Sequence, residues 1–302
     1  MSNDRRELQP RNLDAGITPT SIHGDKSLIE IMTPRPTEDP TVFVGLGNPY
    51  GMMGIYGGHF LGQALAAGLA TVAEPKLAHS FHSYFLQRGD PDQPIEYRVG
   101  TLRNGRGTDA RAVSAWQADR QVFHMIASFK LAEDGETHQP TAPELPAADD
   151  LVAAREARGG PKFPFPPAQN GWTEMEWAGP SFREYEPGRE PTLRLWMRVP
   201  GGQDLSPRQR QIVLAFMSDG PLMFNSVVPY GMAMETHWAT SIDQSVWFHR
   251  TPDPSDWMLF DMRSTAAADG RGMNGGEVYA ADGGLVLTCT QESVLRRVTT
   301  DD

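Results

Sequence analysis

The chain has 302 residues, of which 39% are hydrophobic, and this is enough for a packed core in one large or two ordinary domains. Its formal net charge of -11, without clustered lysine and arginine, argues against nucleic acid as a partner. The single cysteine, Cys289, excludes a disulfide framework and a zinc site with several cysteines, so we expect a cytoplasmic protein. No apolar run reaches the ~20 residues of a membrane span, so we expect no membrane partner.

The first part of the chain predicts a helix followed by a sheet. Residues 1–40 are predicted to form a tail and a short helix, with Ser27 as N-cap and Glu30 completing a capping box. The stretch "YGGHFLGQALAAGLATV" (56–72) predicts a long helix, because its apolar residues recur at helical spacing. From Leu77 to Phe129, strand-like runs alternate with turns and predict an antiparallel sheet.

The same order of elements returns after a linker. Residues 136–192 are rich in proline, glycine and charge, which is typical of a linker. "LSPRQRQIVLAFMSDG" then predicts a second helix with Ser206 as N-cap and Pro207 at its first position. The stretches "AHSFHSYFLQRGDPDQP" and "ATSIDQSVWFHRTPDPSD" match at an offset of about 160 residues. We therefore predict an α+β double hotdog fold, with hotdog domains at residues 41–135 and 193–302.

The stretch "ATSIDQSVWFHR" (239–250) holds a serine, an aspartate and a histidine, the residue types of a hydrolytic triad. Its β-branched and aromatic residues predict one strand, in which Ser241, Asp243 and His249 share a face. Ser241 and His249 would then lie about 26 Å apart, at roughly 3.3 Å per residue. This stretch is therefore not a Ser-His-Asp triad, and any catalytic partner of Ser241 lies elsewhere.

Nine stretches between about Tyr56 and Arg296 carry a resemblance to a known family. They are "YGGHFLGQAL", "HSFHSYFLQRGDPDQPIEY", "IASFK", "GETHQP", "LAFMSD", "SIDQSVWFHR", "DMRSTAAADGRG", "GEVYAADGGLV" and "TQES". On these motifs the chain resembles the acyl-CoA thioesterase II family, double-hotdog enzymes that hydrolyse acyl-CoA to a fatty acid and coenzyme A. The resemblance implies acyl-CoA as substrate, and no cofactor or metal.

The resemblance also implies a catalytic trio. The family has an aspartate at the end of the second helix, a threonine or serine opening the "WFHR" strand, and a glutamine in the last strand. In this sequence "FMSD" supplies Asp219, "SIDQSVWFHR" supplies Ser241 and "TQES" supplies Gln291. In this interpretation Asp219 is the general base, while Ser241 and Gln291 hold the attacking water. The N-terminal half lacks the matching set, so we expect one active site per chain.

The start of the first long helix is the predicted substrate-binding and oxyanion region. Gly57 and Gly58 are the expected N–H donors, because a backbone without Cβ lets a ligand approach closely. His59 belongs to the same region, and it departs from the family's usual glutamine. Two further departures are Gln244 in place of histidine and Ser293 in place of glycine. They leave the trio intact and bear on substrate preference more than on activity.

Other candidate sites have simpler explanations. His79 and His82 lie three residues apart on a strand, which predicts opposite faces and no metal site. "GRGMNG" (270–275) precedes a strand instead of a helix, which excludes dinucleotide binding. Cys289 is predicted to be a small core residue. Asp243 is a rival base, for which a structural hydrogen-bonding role is the preferred interpretation.

Three functions are compatible with these observations. The first is an acyl-CoA thioesterase, and the second is a non-catalytic acyl-CoA binder or scaffold, because a fold alone does not determine function. The third is an acyltransferase that passes the acyl group to another nucleophile. A hotdog hydratase is excluded because its Asp-x-x-x-x-His signature is absent. Because hotdog sheets commonly pair, we expect a homodimer or a higher homo-oligomer.

Overall fold

One antiparallel sheet forms the body of the molecule. The computed structural model describes residues 26–47, 54–160, 172–233 and 235–298. Their thirteen strands belong to this one sheet. Within these residues no helix is long and apolar enough to cross a membrane.

The strands and helices fall into two series along the chain. The strands of the first series are β1 Arg35–Pro36, β2 Val42–Gly45, β3 Leu77–Phe85, β4 Ile95–Asn104, β5 Thr108–Gln117 and β6 Arg120–Lys130. Those of the second are β7 Glu174–Trp177, β8 Thr192–Arg198, β9 His237–Ser241, β10 Asp243–Phe248, β11 Met258–Ala268, β12 Arg271–Tyr279 and β13 Leu285–Arg297. The helices are α1 Leu28–Met32, α2 Gly57–Ala70, α3 Ala148–Ala157 and α4 Pro207–Ser218, and a 3-10 helix covers Leu222–Ser226. Across the sheet the strands follow the order β1-β2-β4-β5-β6-β3-β10-β13-β12-β11-β8-β7, and β9 pairs with β13.

Helices α2 and α4 lie antiparallel to each other in the core. Every residue of α2 from Gly58 to Leu69 is buried, as is typical of a helix that is apolar on all sides. The N-caps predicted for α1 and α4 are confirmed, since Ser27 N–H donates to the Glu30 carboxylate and Ser206 Oγ accepts from the Gln209 N–H. The side chains of both long helices face the same hydrophobic core.

Strands β3 and β10 join the two halves. They pair antiparallel, with His82 opposite Ser245 and Ser83 opposite Gln244. Ser83 Oγ–H donates to the Gln244 carbonyl oxygen at 2.8 Å across this junction. The two sheets therefore continue into each other, and the junction lies beside the strand that carries Gln244.

The segment predicted as a linker contains regular structure. It holds helix α3, and strand β7 pairs with β8 through Met175 and Met197. Strand β7 thereby extends the sheet of the second half by one strand. Residues 161–171 of this segment, like most of the predicted N-terminal tail, lie outside the described residues. The division into domains stays a prediction.

The stretch predicted as a single strand is interrupted at Ile242. Ser245 lies four positions after Ser241, whereas their partners on β13, Thr290 and Ser293, are only three positions apart. The extra residue is a β-bulge, and it moves the residues after it to the opposite face. The prediction that Ser241 shares a face with Asp243 and His249 is therefore wrong. Ser241 lies on the face of buried Ser293, turned towards the helices.

Candidate active site

Helix α4 ends at the centre of the candidate site, with Asp219 as its C-cap. The last carbonyls of a helix lack intrahelical partners and need other donors. Here Ser218 Oγ–H donates to the Ala215 carbonyl at 2.8 Å, and the Tyr56 hydroxyl donates to the Phe216 carbonyl at 3.0 Å. These bonds fix the helix end, and with it the direction in which Asp219 leaves the helix.

Two donors hold the Asp219 carboxylate, one from each half of the chain. The Gly58 N–H, in the first turn of α2, donates to Oδ2 at 2.9 Å. Gln291 Nε2, on β13, donates to Oδ1 at 2.8 Å. The approach of α2 requires glycine, because a Cβ at Gly58 would lie 2.1 Å from the Phe216 carbonyl oxygen and one at Gly57 would lie 2.6 Å from Oδ2. A direct hydrogen bond thus brings together Asp219 and Gln291, two members of the predicted trio, and their catalytic roles stay predictions.

Burial changes the proton affinity of Asp219. The residue is 6% exposed, and this desolvation raises the pKa of its carboxyl to about 7, against the opposing effect of the Gly58 and Gln291 donors. A base with a pKa near neutrality combines a usable ionised fraction with a strong drive to take a proton. Asp219 therefore has the properties of a general base.

The nitrogen and the oxygen of the Gln291 amide differ in their contacts. Its Nε2 donates both to Asp219 Oδ1 and to Gln244 Oε1, the latter at 2.9 Å. Its Oε1 is buried and has no hydrogen-bond partner among the described residues. A buried acceptor without a donor costs about 1 to 3 kcal/mol and calls for an explanation. A water beside Asp219 would be a suitable donor.

Ser241 lies on the same face as Gln291 but does not bond to it directly. Its Cα partner is Ser293, two residues along β13 from Gln291, so Ser241 and Gln291 are diagonal neighbours, about 7 to 8 Å apart. Its hydroxyl donates to Met223 Sδ at 3.8 Å, and within the described residues it has no hydrogen bond to Asp219. A shared water could connect these side chains. The catalytic role of Ser241 stays a prediction.

Gln244 stands where the family usually has histidine, and its contacts were not predicted from the sequence. Strict alternation along a single strand would place it on the face opposite Ser241. In the structure Gln244 is fully buried and bonds to Ser218 as well as to Gln291. The bulge at Ile242 brings Gln244 and Ser241 to the same face, and a pattern of alternating residues contains no sign of it.

The predicted binding residues at the start of α2 differ in what they contact. The Gly58 N–H is taken up by Asp219, whereas the Gly57 N–H has no hydrogen bond within the part of the chain that the structure describes. Gly57 is therefore the better placed of the two for an oxyanion. His59 is buried, and its Nε2 donates to the Leu46 carbonyl at 2.7 Å. A contact of His59 with substrate stays a prediction.

Two rival residues have structural roles. Asp243 Oδ1 accepts from the Glu292 N–H at 2.8 Å, which confirms the predicted hydrogen-bonding role. Cys289 is confirmed as a core residue, and burial raises the pKa of its thiol far above the neutral range. Among the described residues, neither the Asp243 carboxylate nor the Cys289 thiol makes the contacts expected of a base or a nucleophile that acts next to Gln291.

His79 and His82, the pair considered for a metal site, each contact a serine side chain. His79 Nε2 contacts Ser128 Oγ, and His82 Nδ1 contacts Ser245 Oγ. Over the described ranges, no group of three or more His, Cys, Asp or Glu residues is arranged to hold a metal ion. Residues 271–275 of the "GRGMNG" stretch already belong to strand β12, whereas the sequence predicted that the strand follows the stretch.

Comparisons with known proteins agree with this architecture. A family model for the acyl-CoA thioesterase C-terminal domain matches residues 140–295, and one for the N-terminal domain matches residues 47–130. A Haemophilus influenzae protein named acyl-CoA thioesterase 2 is 31% identical in an alignment of 266 residues that covers 85% of this chain and 93% of that protein. Human acyl-coenzyme A thioesterase 8 is 30% identical in an alignment of 257 residues that covers 80% of each chain.

A solved structure gives the same result. The acyl-CoA thioesterase II of Mycobacterium marinum superposes with a TM-score of 0.75 at 27% identity, covering 90% of this chain and 100% of that one. With the sheet and helices described above, this match confirms the predicted α+β double hotdog fold. The sequence and structural matches extend over both halves, and the chain belongs to the acyl-CoA thioesterase II family.

Proposed function

We propose that this protein is an acyl-CoA thioesterase, which hydrolyses fatty acyl-CoA to the free acid and CoA with a water activated by Asp219. One observation carries the proposal: a buried carboxylate with a pKa of about 7 is bonded to Gln291, whose Oε1 has no partner among the described residues. Family membership supplies the substrate class. Nothing in the site favours the non-catalytic alternative.

The reaction needs a base, water held in line, and a donor for the oxyanion. Asp219 takes a proton from the water while Gln291 Oε1 and Ser241 Oγ orient it, and the water oxygen bonds to the thioester carbon. The carbonyl oxygen becomes an oxyanion, for which the Gly57 N–H at the start of α2 is the proposed donor. The intermediate collapses with loss of the CoA thiolate, and the proton held by Asp219 returns to the thiolate sulfur.

Release of CoA from a panel of thioesters tests the proposed function. The panel runs from acetyl-CoA to long-chain acyl-CoA and includes branched and aromatic thioesters, with the free thiol trapped by a chromogenic reagent. We expect thiol release that depends on enzyme, with the free acid as the second product. Binding without thiol release across the panel would establish the non-catalytic binder, and an acylated product other than the acid would establish an acyltransferase.

Ser241→Ala is expected to lower kcat by about tenfold, with little change in KM, because the water loses one oriented hydrogen bond. Ser241→Thr keeps the hydroxyl and is the matched control, expected to retain most of the activity. Steady-state kinetics on the best substrate of the panel give both values. Equal kcat for the alanine variant and the wild type would remove Ser241 from the trio.

We also propose that the protein forms a homodimer or larger homo-oligomer through its sheet. Large side chains that the structure leaves exposed on the outer face near the β3–β10 junction support this, namely Tyr84, Ile126 and Trp247. Analytical ultracentrifugation gives the oligomeric state directly.

A cytoplasmic location is a further proposal, supported by the single cysteine, and fluorescence microscopy of the tagged protein tests it.

A further inference from the structure

A chain of hydrogen bonds leads from helix α4 to Gln291. Ser218 Oγ–H donates to the Ala215 carbonyl, Gln244 Nε2 donates to Ser218 Oγ at 2.9 Å, and Gln291 Nε2 donates to Gln244 Oε1 at 2.9 Å. The side chains of Ser218, Gln244 and Gln291 are each 0% exposed. No bulk water competes for these groups, so each bond constrains the next.

The direction of the chain follows from its first member. A carbonyl oxygen only accepts, so Ser218 donates its one hydrogen to Ala215 and must accept from Gln244. Gln244 then directs its amide nitrogen at Ser218 and its oxygen at Gln291. Gln291 must in turn direct its nitrogen at Gln244, and the same nitrogen reaches Asp219. The Ala215 carbonyl of helix α4 thus determines the orientation of the Gln291 amide through three successive hydrogen bonds.

We propose that Gln244 and Ser218 are positioning residues of the hydrolytic site, which keep Gln291 Nε2 on Asp219 and leave Gln291 Oε1 to the attacking water. The inference rests on the proposed function, since it concerns the same water. Neither Gln244 nor Ser218 belongs to the predicted trio, so this is an additional role for both residues. It also gives the glutamine at position 244 a reason, because its amide presents a donor to Ser218 and an acceptor to Gln291.

The arrangement should oppose protonation of Asp219. Both carboxylate oxygens face N–H donors, Gly58 at Oδ2 and Gln291 at Oδ1, and neither N–H group can accept a hydrogen bond from the O–H of a protonated carboxyl. If the Gln291 amide turned over, its Oε1 would accept a hydrogen bond from protonated Asp219. The chain through Gln244 and Ser218 opposes this rotation. Breaking the chain should therefore raise the pH at which Asp219 becomes an active base.

Other titratable groups lie near the site, but they would not account for a shift in the pH at which Asp219 becomes an active base. Burial raises the pKa of Tyr56 and of Cys289, so both stay neutral through the working range. His59, on α2, bonds to the Leu46 carbonyl. Asp243 and Glu292, on β10 and β13, lie on the strands that carry Gln244 and Gln291, and Asp243 bonds to the Glu292 N–H. None of these groups is altered by the variants below.

The test is the pH profile of kcat for Gln244→Met, which keeps the length of the side chain but has no amide. We expect the acid limb to move to higher pH by about one unit, a tenfold change in proton affinity, which one net hydrogen bond supplies. The plateau at high pH should stay within a few-fold of the wild type, because ionised Asp219 again attracts Gln291 Nε2. Ser218→Ala should move the limb in the same direction.

Two further variants separate positioning from packing. Ser83→Ala removes a buried hydroxyl that bonds to the Gln244 main chain and leaves the amide chain intact, so its acid limb should match the wild type. The double variant Ser218→Ala with Gln244→Met should shift the limb no further than Gln244→Met alone, because the residues act in series. Infrared difference spectra of the Asp219 carboxyl band against pH give the same midpoint without turnover.

An unchanged acid limb in Gln244→Met and in Ser218→Ala, with wild-type turnover of the panel, would overturn the positioning role and leave the thioesterase function standing. A uniform loss of rate at every pH in both variants would also overturn it, since that indicates damaged packing. Should the wild type hydrolyse no thioester while the infrared midpoint still shifts, the proposed function fails and the hydrogen-bond effect on Asp219 survives. Thermal unfolding curves of each variant show whether it is folded under the conditions in which its pH profile is compared with that of the wild type.

Discussion

Asp219→Asn is expected to lower kcat by about 10²- to 10⁴-fold, the usual contribution of a positioned general base. Asparagine has nearly the same shape and volume as aspartate, but its amide takes up no proton from water. KM should change little, because substrate binding does not depend on the transfer of that proton. Steady-state kinetics at a pH above about 8, where Asp219 of the wild type is ionised, give the full difference.

Two matched variants accompany this measurement. Asp243→Asn changes a neighbouring carboxylate that holds the Glu292 N–H, and it should keep most of the wild-type activity. Cys289→Ala removes a buried thiol and should stay within a few-fold of the wild type, because the thiol is a core group. A nucleophilic thiol would instead be essential, since a methyl group cannot replace it. Loss of turnover in Asp243→Asn together with full activity in Asp219→Asn would transfer the role of base to Asp243.

The stability of the protein should depend on pH through the same carboxylate. Burial raises the pKa of Asp219 from 3.8 to about 7. Between these values the folded state holds a proton that the unfolded state has released, so the free energy of unfolding falls as pH rises. Relative to Asp219→Asn, the wild type should lose up to about 4 kcal/mol between about pH 4 and pH 8.

Urea unfolding of both proteins across this range measures the difference. Effects of the substitution that do not depend on pH, such as altered hydrogen bonds to Gly58 and Gln291, cancel when only the slope is compared. Activity should rise over the pH interval in which the free energy of unfolding falls. Ionised Asp219 is needed for activity, but its ionisation within the folded protein lowers stability. Parallel curves for the two proteins would show that the carboxyl has an ordinary pKa.

Local chemistry made much of the fold predictable. The caps at Ser27 and Ser206 gave the starts of two helices, because a side-chain acceptor must satisfy the first N–H groups of a helix. The repeated order of one long helix and several strands indicated two similar units. Strand β7 was not predicted, because its four residues within a proline-rich segment form a strand only by pairing with β8.

The candidate site was less accessible to sequence reasoning. Asp219 and Gln291 are 72 positions apart, and only the resemblance to a family connected them before the structure showed their hydrogen bond. The faces of Ser241 and Gln244 depend on one extra residue at Ile242, whose effect is set by its partners on β13. The N–H of Gly58 is a main-chain group, so no residue type could have identified it as a partner of Asp219.

The Gly58 bond to Asp219 has a consequence for how the two halves are connected. A carboxylate of one half is held by a main-chain donor of the other, so the candidate active site exists only while the halves are docked. If they were separate chains, docking would weaken on dilution. A covalent connection makes docking intramolecular, with effective concentrations in the ~mM range for a flexible link. The single polypeptide therefore keeps the centre assembled at any enzyme concentration in the cell.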